Sequence, residues 1–184
     1  MQPEDQQQPM RTEVESGPRQ AADGSSPAEE DLGPRVAALA ERIVEMERAL
    51  GVREWWLLGR TLPEAQALSE IVSLLAVARG ELVQVLADVF ARPLPPIEND
   101  FVTSEQGESR LDNPEWVQAR LGEARHLLDH TATVLPALLQ YAQVLRSHAE
   151  RLSLPSNTRD AFGIVTDRLV EACELLQHPP ESFR

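Results

Sequence analysis

Three ionisable side chains on one predicted helix have the spacing of a metal-ligand unit. Glu123, His126 and His130 are separated by three and four residues, and a Glu-x-x-His pair is one of the ligand units of di-iron helical bundles. Such a site needs a second pair, and the sequence contains none. Ala124 and Leu128 of the same helix belong to its apolar seam and face the core, so the three polar side chains point largely away from the core. We therefore predict a solvated polar face, no metal and no cofactor, with a surface metal site as the less favoured alternative.

His148 and Tyr141 are the second group of interest on this helix. They lie seven residues apart, in line with Leu127 and Val134, on one flank of the apolar seam. A half-buried histidine that is hydrogen-bonded to a neighbour is the favoured interpretation. The alternative is a ligand pocket between the second and third helices, opened by a kink at Pro136 and lined by Tyr141 and His148. A three-histidine metal site would need inward histidines on other helices, and the first two helices have none.

The remaining reactive residue types point away from covalent catalysis. Cys173 is the single cysteine, so no internal disulfide forms. It lies beside the apolar seam of the predicted fourth helix, where a buried structural cysteine is the favoured interpretation. All 17 basic residues are Arg, which excludes Schiff-base and phosphate-loop lysine chemistry. The absence of lysine indicates GC-rich coding. The sequence contains no glycine-rich phosphate loop and no Ser-His-Asp arrangement.

Composition predicts an acidic helical protein. The chain has 184 residues, a formal net charge of -13, 42% hydrophobic residues and only 4% aromatic residues. This charge repels phosphate backbones, so nucleic-acid binding is not expected. The longest uncharged stretch, residues 130–145, is shorter than the roughly 18 apolar residues that a membrane span needs. The N-terminus has no secretory signal pattern, so we expect a soluble cytoplasmic protein without a membrane contact.

The first two helices are predicted from apolar periodicity and from start signals. Helix 1 is expected to begin near Pro34 and to stop at Gly51, with a further short helix or a continuation over residues 53–58. Helix 2 is expected to begin with a capping box at Thr61-Leu62-Pro63-Glu64 and to end at about Ala91. Its seam is Leu68, Ile71, Leu75, Ala78, Leu82, Val85 and Val89, and its further apolar residues are Val72, Leu74, Val77, Val83, Leu86 and Phe90.

The third and fourth helices have more regular seams. Helix 3 is expected to open at Asn113-Pro114 and to continue through Pro136 as one kinked helix, because its 4,3 spacing keeps its phase across the proline. Helix 4 is expected to begin after Pro155 and to end at His178. The helix 3 seam is Val117, Leu121, Ala124, Leu128, Thr131, Leu135, Leu138, Ala142, Leu145, Ala149 and Leu152.

These elements predict an all-α fold, an elongated four- to five-helix antiparallel bundle with coiled-coil-like seams. Residues 1–32 are expected to form a disordered acidic tail, because they have almost no large apolar side chains, and residues 33–184 to form the bundle. Residues 92–112 are expected to form a long loop.

Contact surfaces are predicted where apolar residues exceed what one seam needs. Trp55 and Trp56 point about 100° apart on a helix, so one is expected to cap the core and the other to be available to a partner. Val77, Val83 and Phe90 lie off the helix 2 seam. They predict a central position in the bundle or a surface for self-association.

Three stretches in the middle of the chain carry a family resemblance. They are Arg79-Gly80-Glu81-Leu82 with Val85 and Leu86, then Gly122-Glu123-Ala124-Arg125 with Leu128, then Ala142, Leu145, His148, Glu150 and Leu152. Here the chain resembles a family of small actinobacterial helical proteins described as natural-product biosynthesis proteins of unknown function. The resemblance implies an actinobacterial genomic setting, but neither a reaction nor a site. Helix 4 and the acidic tail depart from the family pattern.

The function predicted from these residues is a non-catalytic protein-interaction or regulatory bundle, with an unidentified protein partner. A bundle that binds a small molecule or a metal, as an enzyme or a sensor, is the alternative. An accessory role in natural-product biosynthesis rests on the resemblance alone.

Overall fold

A computed structural model describes residues 27–51, 55–59, 61–94 and 111–177, and this part of the chain is helical with no strand. Four helices have more than twenty residues, and one further segment, Trp55–Leu58, is a single helical turn. A fifth helix of the predicted bundle is therefore not present in the described residues. The four helices are α1 (Pro27–Leu50), α2 (Pro63–Asp88), α3 (Pro114–Arg151) and α4 (Ser156–Gln177).

Helix α1 begins earlier than its sequence pattern suggests. It starts at Pro27 instead of near Pro34, which lies inside the helix and is exposed. Leu32 is fully buried and extends the α1 seam towards the N-terminus, on the tail side of the expected boundary at residue 32. The expected disordered tail covers residues 1–32, but residues 27–32 are helical, and residues 1–26 lie outside the described part. Gly51, with φ of 64°, ends the helix as predicted.

Helix α2 begins at Pro63 as expected, but the predicted capping box does not form. Leu62 is the N-cap residue and makes no side-chain cap hydrogen bond. The Thr61 hydroxyl instead donates backward to the Leu58 carbonyl, at 3.2 Å, which ties the single turn to the start of α2. The helix ends at Asp88, slightly before the expected end at Ala91.

Helices α3 and α4 form a hairpin, and α3 is one continuous helix across Pro136, as predicted. The Asn113 side chain caps α3 by accepting from the backbone N–H groups of Glu115 and Trp116. Its 38 residues give it a length of about 57 Å. Three connecting residues after Leu152 lead directly into α4.

The four helices pack so that α2 contacts each of the other three and the single turn. Helix α1 packs against α2 and α3, and α4 packs against the other sides of α2 and α3. Gly33 near the start of α1 lies against Phe90 just beyond α2, while Glu47 near the end of α1 pairs with Arg79. Helices α1 and α2 are therefore antiparallel. The buried seams of all four helices join into one apolar core.

Candidate functional site

The predicted polar face of α3 is on the outside of the bundle, as expected. Glu123, His126 and His130 are all exposed, and Glu123 forms an ion pair with Arg120. The seam residue Ala124 between them is fully buried. In the described ranges, no group of three His, Cys, Asp or Glu side chains is arranged to hold a metal ion. Glu123, His126 and His130 therefore face the solvent and do not point into the core of the bundle.

The predicted pair of Tyr141 and His148 lies against α1 in a cluster around Arg35. The Arg35 guanidinium contacts His148 Nδ1 at 3.3 Å, and the Tyr141 hydroxyl donates to the Arg35 carbonyl at 3.3 Å. The Arg42 guanidinium lies 5.5 Å from the centre of the Tyr141 ring, a distance at which a cation–π contact is favourable. A guanidinium can only donate, so His148 Nδ1 accepts. This half-buried histidine is bonded to a neighbour, as predicted, and the cluster joins α1 to α3.

The interior beside Pro136 is filled with side chains. Leu135 is fully buried and Leu138 is 3% exposed, whereas Pro136 itself is exposed on the outer side of the helix. Tyr141 and His148 face α1, and not a space between α2 and α3. The packed interior at Pro136 therefore gives no support to the predicted ligand pocket between α2 and α3.

Trp55 is the tryptophan that caps the core. Its side chain is 4% exposed, and its indole N–H donates to the Leu50 carbonyl at 2.5 Å. In this position Trp55 closes the end of the α1–α2 pair and presents almost no surface to a partner. The side chain of Trp56 lies outside the described residues.

Most of the apolar surface of α2 is used inside the molecule. Val72 and Leu86, off the predicted seam, are buried, and the half-buried Phe90 packs against Gly33 of α1. Val83 is half-buried, and Val77 is 46% exposed. Of the three α2 positions predicted as partner contacts, Val77 alone offers a largely open side chain.

A buried ion pair between α1 and α2 was not anticipated from the sequence. Arg79 Nε donates to Glu47 Oε2 at 2.7 Å, and the Glu47 side chain is only 8% exposed. Burial raises the pKa of the Glu47 carboxyl above its ordinary value, while the hydrogen bond and the positive charge of Arg79 oppose that rise. In the sequence Glu47 directly follows the seam residue Met46, and this is the one signal that could have placed it near the core.

Cys173 is half-buried on α4 and packs against the core. Burial raises the pKa of its thiol, which lowers the thiolate fraction at neutral pH. Its environment is that of a structural cysteine and not of an activated nucleophile.

An open groove lies between the start of α2 and the end of α4. It has a volume of ≈ 740 Å³ and combines leucine side chains with carboxylates. The Gln66 amide donates to Glu70, and Arg168 pairs with Glu171, so two of the carboxylates already have partners. The lining residues are Ser69, Glu70, Ser73, Leu74, Glu171, Glu174, Leu175 and Gln177.

A second open surface runs along the outside of α3. Between Asp129 and Arg146 the helix has no ionised residue, in a chain of which 26% is charged. We call the exposed residues of this segment the α3 outer face, and Val144, at 47% exposure, is its most exposed large apolar side chain. The members of the α3 outer face are His130, Ala132, Thr133, Pro136, Ala137, Gln140, Gln143 and Val144.

The comparisons with known proteins assign no relative to the chain. No family model, no curated protein and no solved structure matches it. Among the described helices, none is long and apolar enough to span a bilayer.

Proposed function

We propose that this chain is a non-catalytic helical bundle that acts through contact with a protein. The proposal is supported by a core in which the seams of all four helices are packed together. It is further supported by the described buried side-chain polar atoms, each of which has a hydrogen-bond partner. A ligand-binding or catalytic interior commonly contains polar groups that are directed at the ligand. Because the described buried polar groups are bonded within the protein, we place the function on the surface.

The observation that carries the proposal is the α3 outer face. Surface helices of acidic proteins usually carry charge on the solvent side, because charge keeps the protein soluble. Here eight exposed residues between Asp129 and Arg146 carry no formal charge, with histidine counted as neutral, and Val144 is 47% exposed among them. Protein interfaces are depleted of charge at their centre and charged or polar at the rim, and α3 has that pattern along its outside.

Site-specific photo-crosslinking in the cells that produce the protein tests this proposal. A photoreactive residue is placed at Gln140, on the α3 outer face, and, as the matched control, at Gln84, an exposed glutamine of α2. We expect a covalent adduct with a protein from position 140 and none from position 84. Absence of an adduct from position 140, or equal adducts from both positions, would contradict the proposal.

The setting of this contact is part of the same proposal. We place it in the cytoplasm of an actinobacterium, in an accessory role in natural-product biosynthesis, on the basis of the family resemblance. The 38-residue helix α3 supports a contact of this kind, because one continuous helix offers a continuous outer surface.

The groove between α2 and α4 supports a second candidate, which is the binding of a small molecule with an apolar body and a positive charge. Leu74 and Leu175 would contact the apolar part, and Glu174 the cation. Thermal unfolding with a panel of amphipathic amines tests it. A stabilising amine should lose its effect in Glu174→Gln and keep it in Glu45→Gln, a change of an exposed glutamate on α1. If no amine shifts the melting temperature, this candidate fails.

A further inference from the structure

We infer that the α3 outer face binds the same face of a second copy of this chain, with the two α3 helices antiparallel. The two-fold axis would pass close to Ala137, at the middle of the uncharged segment. This inference rests on the proposed function, because it names the partner of the surface proposed above. It is carried by the arrangement of charges on the two sides of that surface.

Repulsion limits where two copies of this chain can meet. Each chain has a formal net charge of -13, so any contact between charged faces costs electrostatic free energy. Residues 130–145 form the longest uncharged stretch of the sequence, and they lie on one continuous helix. Contact there brings two copies together with the fewest like charges face to face.

The ionised residues that flank this segment are opposite in sign on its two sides. Outward from residue 130 they are Asp129, Arg125 and Glu123, and outward from residue 145 they are Arg146, Glu150 and Arg151. The first order is negative, positive, negative, and the second is positive, negative, positive. Residues 129 and 146 lie one position from the segment, and residues 125 and 150 lie five positions from it.

Antiparallel pairing therefore joins unlike charges at each step. Arg125 and Glu150 are both exposed and lie about 20° apart around the helix, so Arg125 of one copy would lie beside Glu150 of the other. Asp129 and Arg146 lie about 100° apart around the helix, so they make the weaker, lateral pair. Parallel pairing would instead place Asp129 of one copy beside Asp129 of the other, and these like charges repel each other. Arg125 and Arg146 already pair with Glu64 and Glu150 of their own chain, but their side chains are 64% and 43% exposed. Each guanidinium can therefore donate to a second carboxylate, from a neighbouring copy.

The dimensions of this contact predict a weak dimer. Residues 123–151 span about 44 Å of helix, with a helix diameter of roughly 10 Å. This footprint is below the roughly 800 Å² per partner of a standard stable interface. We expect a reversible dimer that dissociates on dilution, with a dissociation constant in the micromolar range or weaker.

Sedimentation equilibrium of charge-exchange variants tests the antiparallel dimer. Arg125→Glu and Glu150→Arg should each weaken dimerisation several-fold, because each places like charges together at both ends of the contact. The double variant restores unlike charges only in an antiparallel pair, so we expect its dissociation constant to return towards that of the original chain. Circular dichroism and thermal unfolding show that each variant is folded.

Three results would overturn the inference, and they differ from failure of the proposed function. A chain that stays monomeric at high concentration, a dimer insensitive to the single changes, or a double variant no better than the singles would each contradict it. If, at the same time, photo-crosslinking at position 140 captures a different protein, the surface proposal stands and the second copy is the wrong partner. If position 140 captures nothing, both fail.

Discussion

Helix α2 has apolar residues on several faces, whereas α3 has them on one regular seam. Most of the additional apolar residues of α2 pack against neighbours inside the molecule, because α2 contacts all three other helices and the Trp55 turn, while Val77 is 46% exposed. Helix α3 also contacts the other three helices, but its outer face is exposed and has no Asp, Glu or Arg between Asp129 and Arg146. Apolar residues on several faces thus accompany a helix that is enclosed by its neighbours, while the missing charge on an exposed face is the feature on which the proposed contact surface rests.

The largest effect is expected from removing a seam residue of α2. Leu75→Ala should lower the free energy of unfolding by about 3 kcal/mol, because Leu75 is fully buried and its removal leaves a cavity. Val77→Ala, two residues away and 46% exposed, should change it by less than about 0.5 kcal/mol. Urea unfolding measures both variants. Similar losses at the two positions would show that the exposed side of α2 is packed in solution.

The α1–α2 ion pair gives the next largest effect. Arg79→Ala should cost about 2 kcal/mol near neutral pH, because it leaves the Glu47 carboxylate buried without its cation. Burial already raises the pKa of Glu47, so the folded variant binds a proton more readily than the unfolded chain does. Its stability relative to the original chain should therefore recover as the pH falls through the raised pKa.

Denaturant unfolding at several pH values measures this recovery. The control is the double variant Glu47→Gln with Arg79→Ala, in which position 47 does not titrate and the recovery should be absent. A deficit of Arg79→Ala that stays constant from neutral to acidic pH would show that Glu47 is not desolvated.

A smaller loss of stability is expected from changes at the N-termini of α3 and α2. Asn113→Ala should destabilise the protein by about 1 kcal/mol, because the side chain caps two backbone N–H groups of α3. Thr61→Ala should cost less, since Thr61 does not cap α2. Thermal unfolding of the two variants decides this comparison, and a larger loss for Thr61→Ala would mean that the capping box forms in solution.

The regular elements of the fold follow from local sequence signals. The Asn113-Pro114 start, the unbroken seam across Pro136 and the Gly51 stop all act within a few residues, so spacing alone predicts them. The predicted α1 start is too late. Leu32 keeps the 4,3 spacing of Val36 and Leu39, but Gly33 and Pro34 directly after it are typical of a helix boundary. The Thr61 hydroxyl bonds to the Leu58 carbonyl and does not cap the N-terminus of α2. Residue spacing alone cannot predict which of these two hydrogen bonds forms.

Contacts between helices were less predictable than the helices themselves. The flank position of Tyr141 and His148 was evident from the seam, but their partner Arg35 was not, because the relative rotation of α1 and α3 depends on the whole core. The same holds for Glu47 and Arg79, which lie 32 residues apart. The groove between α2 and α4 likewise exists only after both helices are in place.

The most direct test compares Val77→Glu with Val144→Glu by sedimentation over a range of protein concentrations. The two valines are matched, at 46% and 47% exposure, and lie on α2 and α3. We expect Val144→Glu to weaken association about tenfold or more, because it adds like charges inside the α3 contact, and Val77→Glu to behave as the original chain. Association that is lost in Val77→Glu and kept in Val144→Glu would contradict the account.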